Sequence, residues 1–568
     1  MSYGGFFVAS DTRQEQTSPR CSTRSDADMN ASDTKLKFFC IRRTLPIAAD
    51  AQALFTSLTD GGTATGAVLL QSSDNIPRYG ERSLAAVGTS LRISGRDDVY
   101  RIEAIDDRGR ILIPILTARL KSSSRELSPI LTATGEAAGI AGRIDIDRRS
   151  VSGRERPLRR NAMDVLRQVA FLAPDEDSPD IPSHGCFGAF AYTFVHQYEQ
   201  FERNPRDVLD EPDYVFFLAT RLFVIDHAGG ATHLASSVPV IPGADLAPLL
   251  NEAEADVRRM IAAATAPASA GGRTWRLGNV ESDVDRETYC ANVVRIQRDI
   301  EAGRAYQVVY GRRLSAPFEG SPLDVYARLS RTNPSPYMFY INDGDGVLLA
   351  ASPEMAVRAE PSPTGTVVEL RPIAGTKPRG FIDGRLDALT DVKYETALKI
   401  DPKELAEHTM LVDLARNDLA SVCRPGTTQV TDPFVVEKYS HVQHLVSSVS
   451  GVLREPLDGL HAYLATMNMG TVTGAPKLEA MKIINTLEAS GRGFFGGAAG
   501  YIFPDGRLDT ALIIRAIRFK RGRAHIRAAA GIVADSVPES EWTETENKAA
   551  AAIRALRGPV DASSEDAA

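Results

Sequence analysis

Strand-like and helix-like segments arrive in blocks along this chain, without strict βαβ alternation. That order favours an α+β architecture over a doubly wound parallel sheet. Residues 37–41, 67–72, 91–93 and 100–102 read as strands, and 50–58 as a short helix. The Gly- and aromatic-rich stretch 185–194 reads as a buried strand near a turn. Residues 215–219 and 222–225 read as two strands bracketing a turn, and 249–263 as a helix. In the second half, 285–302 is helical and 307–314 is a strand, while 337–342 and 346–351 form a hairpin around Asp343-Gly344-Asp345. Between the halves, 264–272 holds small residues with nothing to bury and predicts a linker. The expected division is therefore an N-terminal domain at 35–263, that linker, and a second domain at 273–558. Residues 1–34 are polar and read as a disordered extension, with Met29 as an alternative start, and 559–568 as a disordered tail.

Composition excludes several classes. Hydrophobic residues at 43% and charged residues at 24% rule out general disorder and a fibrous repeat. The sequence has no unbroken apolar run long enough to span a membrane. A net charge of −8 argues against a nucleic-acid surface. Cys21, Cys40, Cys186, Cys290 and Cys423 are scattered, odd in number and never in CxxC spacing, which fits a cytoplasmic protein without disulfides or zinc.

Two segments place carboxylates on helix faces. Asp401 suits an N-cap and Pro402 the first turn, and Glu404 stands where a capping box puts its acid. Glu404 and Glu407 are i and i+3, on one face with Leu411. Further on, Glu541, Glu544 and Lys548 line one face of a second helix. Each segment alone reads equally as a cap or a surface ion pair. Read together, they can converge carboxylates on one Mg²⁺, which takes few protein ligands and completes its shell from water and an anionic substrate.

Three glycine-bearing segments can hold carboxylates with backbone N–H groups: 373–380, 470–477 leading into a helix with Leu478, Met481, Ile484 and Leu487, and 528–531. Each alone also reads as an ordinary tight turn. None matches GxxxxGK[ST] or GxGxxG.

Six strings occur in fixed order: RPIAGTKPRG (371–380), KELAEHTMLVDLARNDLA (403–420), YSHVQHLVSSVSG (439–451), MNMGTVTGAPKLEAM (467–481), GGAAGY (496–501) and GIVADSVPESEWTETENKA (531–549). Together they resemble the chorismate-utilising enzymes, and among these the component I (large-subunit) family of anthranilate synthases. The resemblance covers roughly residues 285–556, and more loosely LLQSSD (69–74) and its sequel to Ile93. It implies an α+β fold with a mixed β-sandwich core and flanking helices, the N-terminal domain being regulatory. It implies a lyase that converts chorismate and ammonia to anthranilate and pyruvate with Mg²⁺, opening tryptophan biosynthesis.

Carried over residue by residue, Glu407 and Glu544 would hold the metal, with Glu404 and Glu541 beside them. Gly375, Thr376, Arg515 and the Ala529-Ala530-Gly531 backbone would bind the chorismate carboxylates, with Lys548 nearby. Glu354 matches the general acid that helps the C4 hydroxyl leave, a task that needs a buried carboxyl with a raised pKa. His444 matches the histidine tied to pyruvate elimination; read by itself it is a structural histidine on a helix. Phe495 stands where the family usually has Tyr, and Ala529 where it usually has Gly, changes that bear on chorismate affinity.

Isochorismate and salicylate synthases carry Lys where Gln307 stands, and aminodeoxychorismate synthases carry a nucleophilic Lys where Ala374 stands. With neither lysine, ammonia is the remaining nucleophile, and Thr471 agrees with the anthranilate branch. A 2-amino-2-deoxyisochorismate synthase and a weakly active regulatory paralogue stay open as alternatives. The chain shows no glutaminase cysteine setting, so a glutamine amidotransferase subunit is expected to supply ammonia, in a heterotetramer of two large and two small subunits. Tryptophan is expected to inhibit through Gln71, Ser72, Pro336, Tyr337 and Met338, with Gln71 replacing a family Glu.

Overall fold

A computed structural model of the chain describes residues 36–72, 82–147, 149, 155–174, 181–241, 246–267, 275–439 and 442–558. The expected disordered ends and most of the expected linker lie outside these residues.

The chain is α+β, with one large sheet and flanking helices. Every pairing of named strands is antiparallel. The strand Arg82–Arg96 lies between Val68–Gln71 and Tyr214–Asp226. On one side Val68–Gln71 pairs with Tyr337–Asn342, which leads through Val347–Ser352 and Ala516–Lys520 to Arg523–Ile532 and Gln307–Glu319. On the other side Gly185–Phe190 joins Tyr214–Asp226 to Ala498–Ile502. From there the sheet passes through Leu508–Leu512, Met355–Glu360 and Val367–Leu370 to Val442–Val452. That last strand also pairs with Ile373–Pro378 and Gln429–Lys438.

Residues before and after 264–272 are consequently interleaved in space. Leu69 and Phe55 share a buried cluster with Met338, Tyr340 and Leu556, and Val68 and Phe217 share another with Phe339 and Phe494. Leu36–Ala568 forms one compact unit.

Asp401 caps Pro402–Ala420 with its carboxylate, as read, and Asp50 and Asp285, expected as the first residues of their helices, stand just outside Ala51–Leu58 and Arg286–Glu301 as caps too. Three readings need correction. The turn expected between 219 and 222 is absent, because Tyr214–Asp226 runs as one strand. Arg221, which looked like a turn residue, is held at 2.8 Å by Asp106, Glu252 and Asp256, so its charge is satisfied inside a strand. The segment bearing His444 is strand Val442–Val452 and not helix: its β-branched residues pair on both sides. Residues 528–531 lie within the strand Arg523–Ile532 and do not follow one.

Candidate active site

Two helices and the strands beneath them gather most of the singled-out side chains. Asp401 accepts hydrogen bonds from the Lys403 and Glu404 N–H groups. The Glu404 carboxylate lies beside Gly375, where a Cβ would stand 3.0 Å from its Oε2 and 2.9 Å from Leu398 Cδ1. Gly375 has φ 81° and sits where the pairing of Ile373–Pro378 with Val442–Val452 shifts register. Only glycine meets both demands there. Burial, followed by the charge of Glu407, raises the pKa of Glu404.

Glu407 accepts from Gln307 Nε2 at 2.9 Å. A Cβ at Gly531 would stand 2.8 Å from that same nitrogen, so a side chain at 531 would push Gln307 off Glu407. On the C-terminal helix Pro538–Leu556, Glu541 is buried and its pKa is raised by that burial. A hydrogen bond to Ser536 lowers it, the charge of Glu544 raises it, and the charges of Lys403 and Lys548 lower it. Glu544 pairs with Lys548 at 2.5 Å, and Lys548 Nζ also donates to the Ala529 carbonyl at 2.9 Å.

Arg515 donates to the Lys548 carbonyl at 2.7 Å. Its φ of 52° is in the left-handed region, which costs a non-glycine residue on the order of 1 kcal/mol and is tolerated where the surroundings fix the side chain. Burial lowers its pKa and the charge of Glu544 raises it.

Glu354 stands between Val347–Ser352 and Met355–Glu360, buried, with Thr471 Oγ1 donating to its Oε1 at 2.9 Å. Burial pushes its pKa up to about 8, against smaller lowering by the Thr471 hydrogen bond and the Lys548 charge. The carboxyl therefore keeps its proton at neutral pH. His444 Nδ1 lies 2.9 Å from Thr376 Oγ1 and 3.3 Å from the Gly375 carbonyl. A carbonyl can only accept, so the Gly375 contact places a proton on Nδ1 and leaves Nε2 as the basic atom. Burial drives the His444 pKa down to about 4, with the Arg515 charge also lowering it, so the ring is neutral at neutral pH.

Four contact groups result: Glu354 with Thr471; His444 with Thr376, Gly375 and Glu404; Gln307 with Glu407 and Gly531; and Arg515 with Lys548, Glu544 and Ala529. Electrostatic influence of Lys548 on Glu354, of Arg515 on His444 and of Glu407 on Glu404 links them. Phe495 stands apart, with the Arg492 guanidinium 5.6 Å from its ring centroid. Ala530 is buried in the strand pair opposite Tyr310. Of the expected cradles, 470–477 acts through its side chains: Lys477 is taken up by Asp418 and the Thr466 carbonyl, and the turn presents Thr471 to Glu354.

Arg492 is the residue that reading the sequence missed. It is buried, pairs with Glu488 at 2.6 Å, and donates to the Val472 carbonyl at 2.6 Å and the Val309 carbonyl at 2.7 Å. It thereby ties the turn of Thr471 to the strand of Gln307. The i,i+4 spacing of Glu488 and Arg492 was its only sequence signal, and that spacing usually marks a surface pair.

Among the described residues no group of three His, Cys, Asp or Glu side chains forms a site able to hold a metal by itself. The carboxylates here stand as pairs, Glu404 with Glu407 and Glu541 with Glu544; burial first, and the charge of the neighbouring carboxylate after it, raise the pKa values of Glu404 and Glu541.

Gln71 and Met338 face each other across adjacent strands. Gln71 Oε1 accepts from Tyr326 at 2.9 Å and from Gln52 at 3.3 Å. Ser72 Oγ is buried, with no hydrogen-bond partner among the described residues. Met338 packs into the cluster of Leu69 and Tyr340 and Tyr337 against that of Val68 and Phe339, so these residues fall on both faces of the shared sheet.

A family model for chorismate binding enzyme matches residues 125–554. Anthranilate synthase component 1 of Escherichia coli strain K12 is 38% identical over 508 residues, covering 89% of this chain and 94% of that protein. Anthranilate synthase component I from Streptococcus pneumoniae TIGR4 superposes with a TM-score of 0.67 at 28% identity, covering 84% of this chain and 93% of the other. The menaquinone-specific isochorismate synthase of Escherichia coli, at 18% identity and a TM-score of 0.62, covers 92% of this chain and 95% of its own and shares the fold.

Proposed function

The chain belongs to the chorismate-binding enzyme family and matches anthranilate synthase component I relatives across most of its length; from that premise we propose that it converts chorismate and ammonia to anthranilate and pyruvate. One observation carries the choice of nucleophile. Gln307 is buried, has no basic atom and spends an amide N–H on Glu407, and Ala374 offers only a methyl group. Neither position can activate water or attack the ring, which leaves external ammonia.

The chain's own groups fit the rest of the reaction. Arg515, with Lys548 beside it, offers a planar fork for a substrate carboxylate. Glu354 holds a proton at neutral pH and delivers it to the departing C4 hydroxyl, while Thr471 fixes its orientation. His444, neutral and with Nδ1 tied down, presents Nε2 to take the C2 proton as pyruvate leaves. Glu407 and Glu544, with Glu404 and Glu541 beside them, suit Mg²⁺, which when bound neutralises charge between these acids and a substrate carboxylate. The ammonia source is a glutamine amidotransferase subunit, as in the two-subunit system the component I relatives imply.

Purified chain given chorismate, Mg²⁺ and an ammonium salt is expected to produce a fluorescent product and equimolar pyruvate. A non-fluorescent aminated product without pyruvate would assign 2-amino-2-deoxyisochorismate synthesis instead, and no amination at all would sink the reading.

Feedback by tryptophan belongs to the same proposal. The Ser72 hydroxyl, without a partner among the described residues, and the stretch Pro336-Tyr337-Met338 across the sheet from it are the groups this reading assigns to an amino acid with an indole. Tyr326 and Gln52, which hold the oxygen of Gln71, would equally hold a carboxylate. Gln71→Glu is therefore expected to lower the tryptophan concentration for half-inhibition by about five- to thirtyfold, as a charge-assisted bond to the ligand ammonium would. Ser72→Ala should raise it. Identical inhibition curves for the wild type and both variants would place the inhibitor elsewhere.

A further inference from the structure

The strand Arg523–Ile532 sets basic residues against basic residues. Arg527 stands directly opposite Arg313 on Gln307–Glu319, and His525 directly opposite Arg518 on Ala516–Lys520. Residues 525 and 527 are two apart, so all four side chains share one face of three neighbouring strands. Like charges placed directly opposite repel, and burial strengthens the repulsion. Arg518 and Arg527 are buried, as is Arg492. Together Arg313, Arg492, Arg518, Arg527 and His525 line a cavity of about 40 Å³. That is more room than one water needs and far too little for a substrate-sized molecule.

Most of this charge has a partner. Glu488 takes Arg492 at 2.6 Å and Arg527 at 2.9 Å, and Glu211 takes Arg518 at 2.8 Å and Lys520 at 3.2 Å. Asp343 adds a second carboxylate to Arg518 at 2.7 Å. Arg313 is the exception. Its nearest carboxylate among the described residues, Asp283, stays 4.0 Å from Nε and is held at 2.6 Å by the Ser490 hydroxyl. Five cations therefore share four carboxylates, and one positive charge is left over.

The hydrogen bonds show the same deficit. Arg313 Nε and Nη1, Arg518 Nη1 and His525 Nδ1 are buried with no hydrogen-bond partner among the described residues. Burial lowers the pKa of Arg313, Asp283 offsets part of this, and Arg527 and Arg523 lower it further. His525 is pushed down to about 4, by burial first and then by Arg313 and Arg523, so the ring is neutral at neutral pH and adds no charge. Water meets such a gap poorly. A guanidinium only donates, so a water bridging two of them must pass its own protons to acceptors, and Glu211 and Glu488 are already bonded to cations. An anion accepts from every donor and removes the surplus charge.

We propose that this cavity binds one small monovalent inorganic anion of the halide class, held by the unpartnered N–H groups of Arg313 and Arg518. The site is separate from the proposed chorismate site, since none of Glu354, His444, Thr471 and Arg515 lines the cavity. It lies close behind it. Arg527 is two residues from Ala529 along one strand, and Arg492 holds the carbonyls of Val472 and Val309. A bound anion offsets the repulsion among the arginines that brace the chorismate site, whatever reaction takes place there.

The test uses the full chain. Melting is followed in sodium chloride, sodium bromide and sodium gluconate at equal ionic strength, gluconate being too large for a cavity of about 40 Å³. Chloride and bromide are expected to raise Tm saturably, by about 1–3 °C at roughly a hundred times Kd, and gluconate to give no saturable rise. Arg313→Gln removes the surplus charge and should erase the difference between the salts. Wild-type crystals grown in bromide should show an anomalous peak within hydrogen-bond reach of Arg313 and Arg518. Equal melting in chloride and gluconate overturns the proposal. So does a saturable rise that Arg313→Gln retains, or one without a peak in the cavity. A peak without the rise is binding at crystal concentration only, and overturns it too. If Arg313→Gln does not fold, the wild-type rise and peak decide together, and the absence of either overturns the site.

Discussion

Glu354→Gln is expected to lower kcat by about 10²–10⁴-fold, the range that a positioned general acid contributes, while leaving the fold intact. The amide keeps an oxygen for the Thr471 hydroxyl, which lies 2.9 Å from the present carboxyl, so the local hydrogen bond survives and only the transferable proton is lost. The same residue sets a pH signature. Burial raises its carboxyl from 4.5 to about 8, so the general acid is spent as pH rises through about 8. His444, held neutral down to about 4, closes the acid side. A plot of kcat/KM against pH should therefore fall on its alkaline limb near 8 in the wild type, and that limb should disappear from the residual activity of the variant. Stability follows the same proton. The folded state binds it more tightly than the unfolded chain, so its contribution is fully present below about 4.5 and is lost as pH rises through about 8. The variant, with no group to ionise there, should gain in Tm relative to the wild type between pH 5 and pH 9. Near wild-type turnover in Glu354→Gln would remove it from the chemistry.

Glu407→Gln and Glu544→Gln are each expected to cost about 10²–10³-fold in turnover, the scale of losing several kcal/mol of charge stabilisation. Wild-type activity should vanish in EDTA and return with added Mg²⁺. Both carboxylates already have a donor in the structure, Gln307 on Glu407 and Lys548 on Glu544, so the amides should fold. Their neighbours Glu404 and Glu541 give a second readout. With Mg²⁺ bound, the like charges that oppose folding at neutral pH are offset, so Mg²⁺ should raise Tm in the wild type and less in either variant. Unimpaired turnover of both variants in EDTA would defeat the metal assignment.

Much of this was legible from residue order because backbone geometry answers to local chemistry. Asp401 caps the helix it precedes, since a short carboxylate meets free N–H groups wherever a helix starts. The hairpin at 337–352 follows from strand residues flanking Asp-Gly-Asp. The six ordered strings named the family and most of the residues that the structure brings into contact. What stayed hidden depends on partners far along the chain. Arg221 reads as a break until Asp106 and Asp256 arrive to satisfy it inside a strand. His444 lies on a strand because two neighbouring strands take up its backbone bonds. Gln71 meets Met338 across a sheet that joins halves separated in sequence by an apparent linker. Leu389, Val392 and Ile400 have the spacing of a core-facing helix stripe, yet they stand exposed on helix Ala388–Ile400 while Asp391, on its other side, is held by Arg379. Glu354 is an acid at neutral pH for the same reason: its pKa depends on burial, and burial is set by non-local packing that residue spacing does not encode.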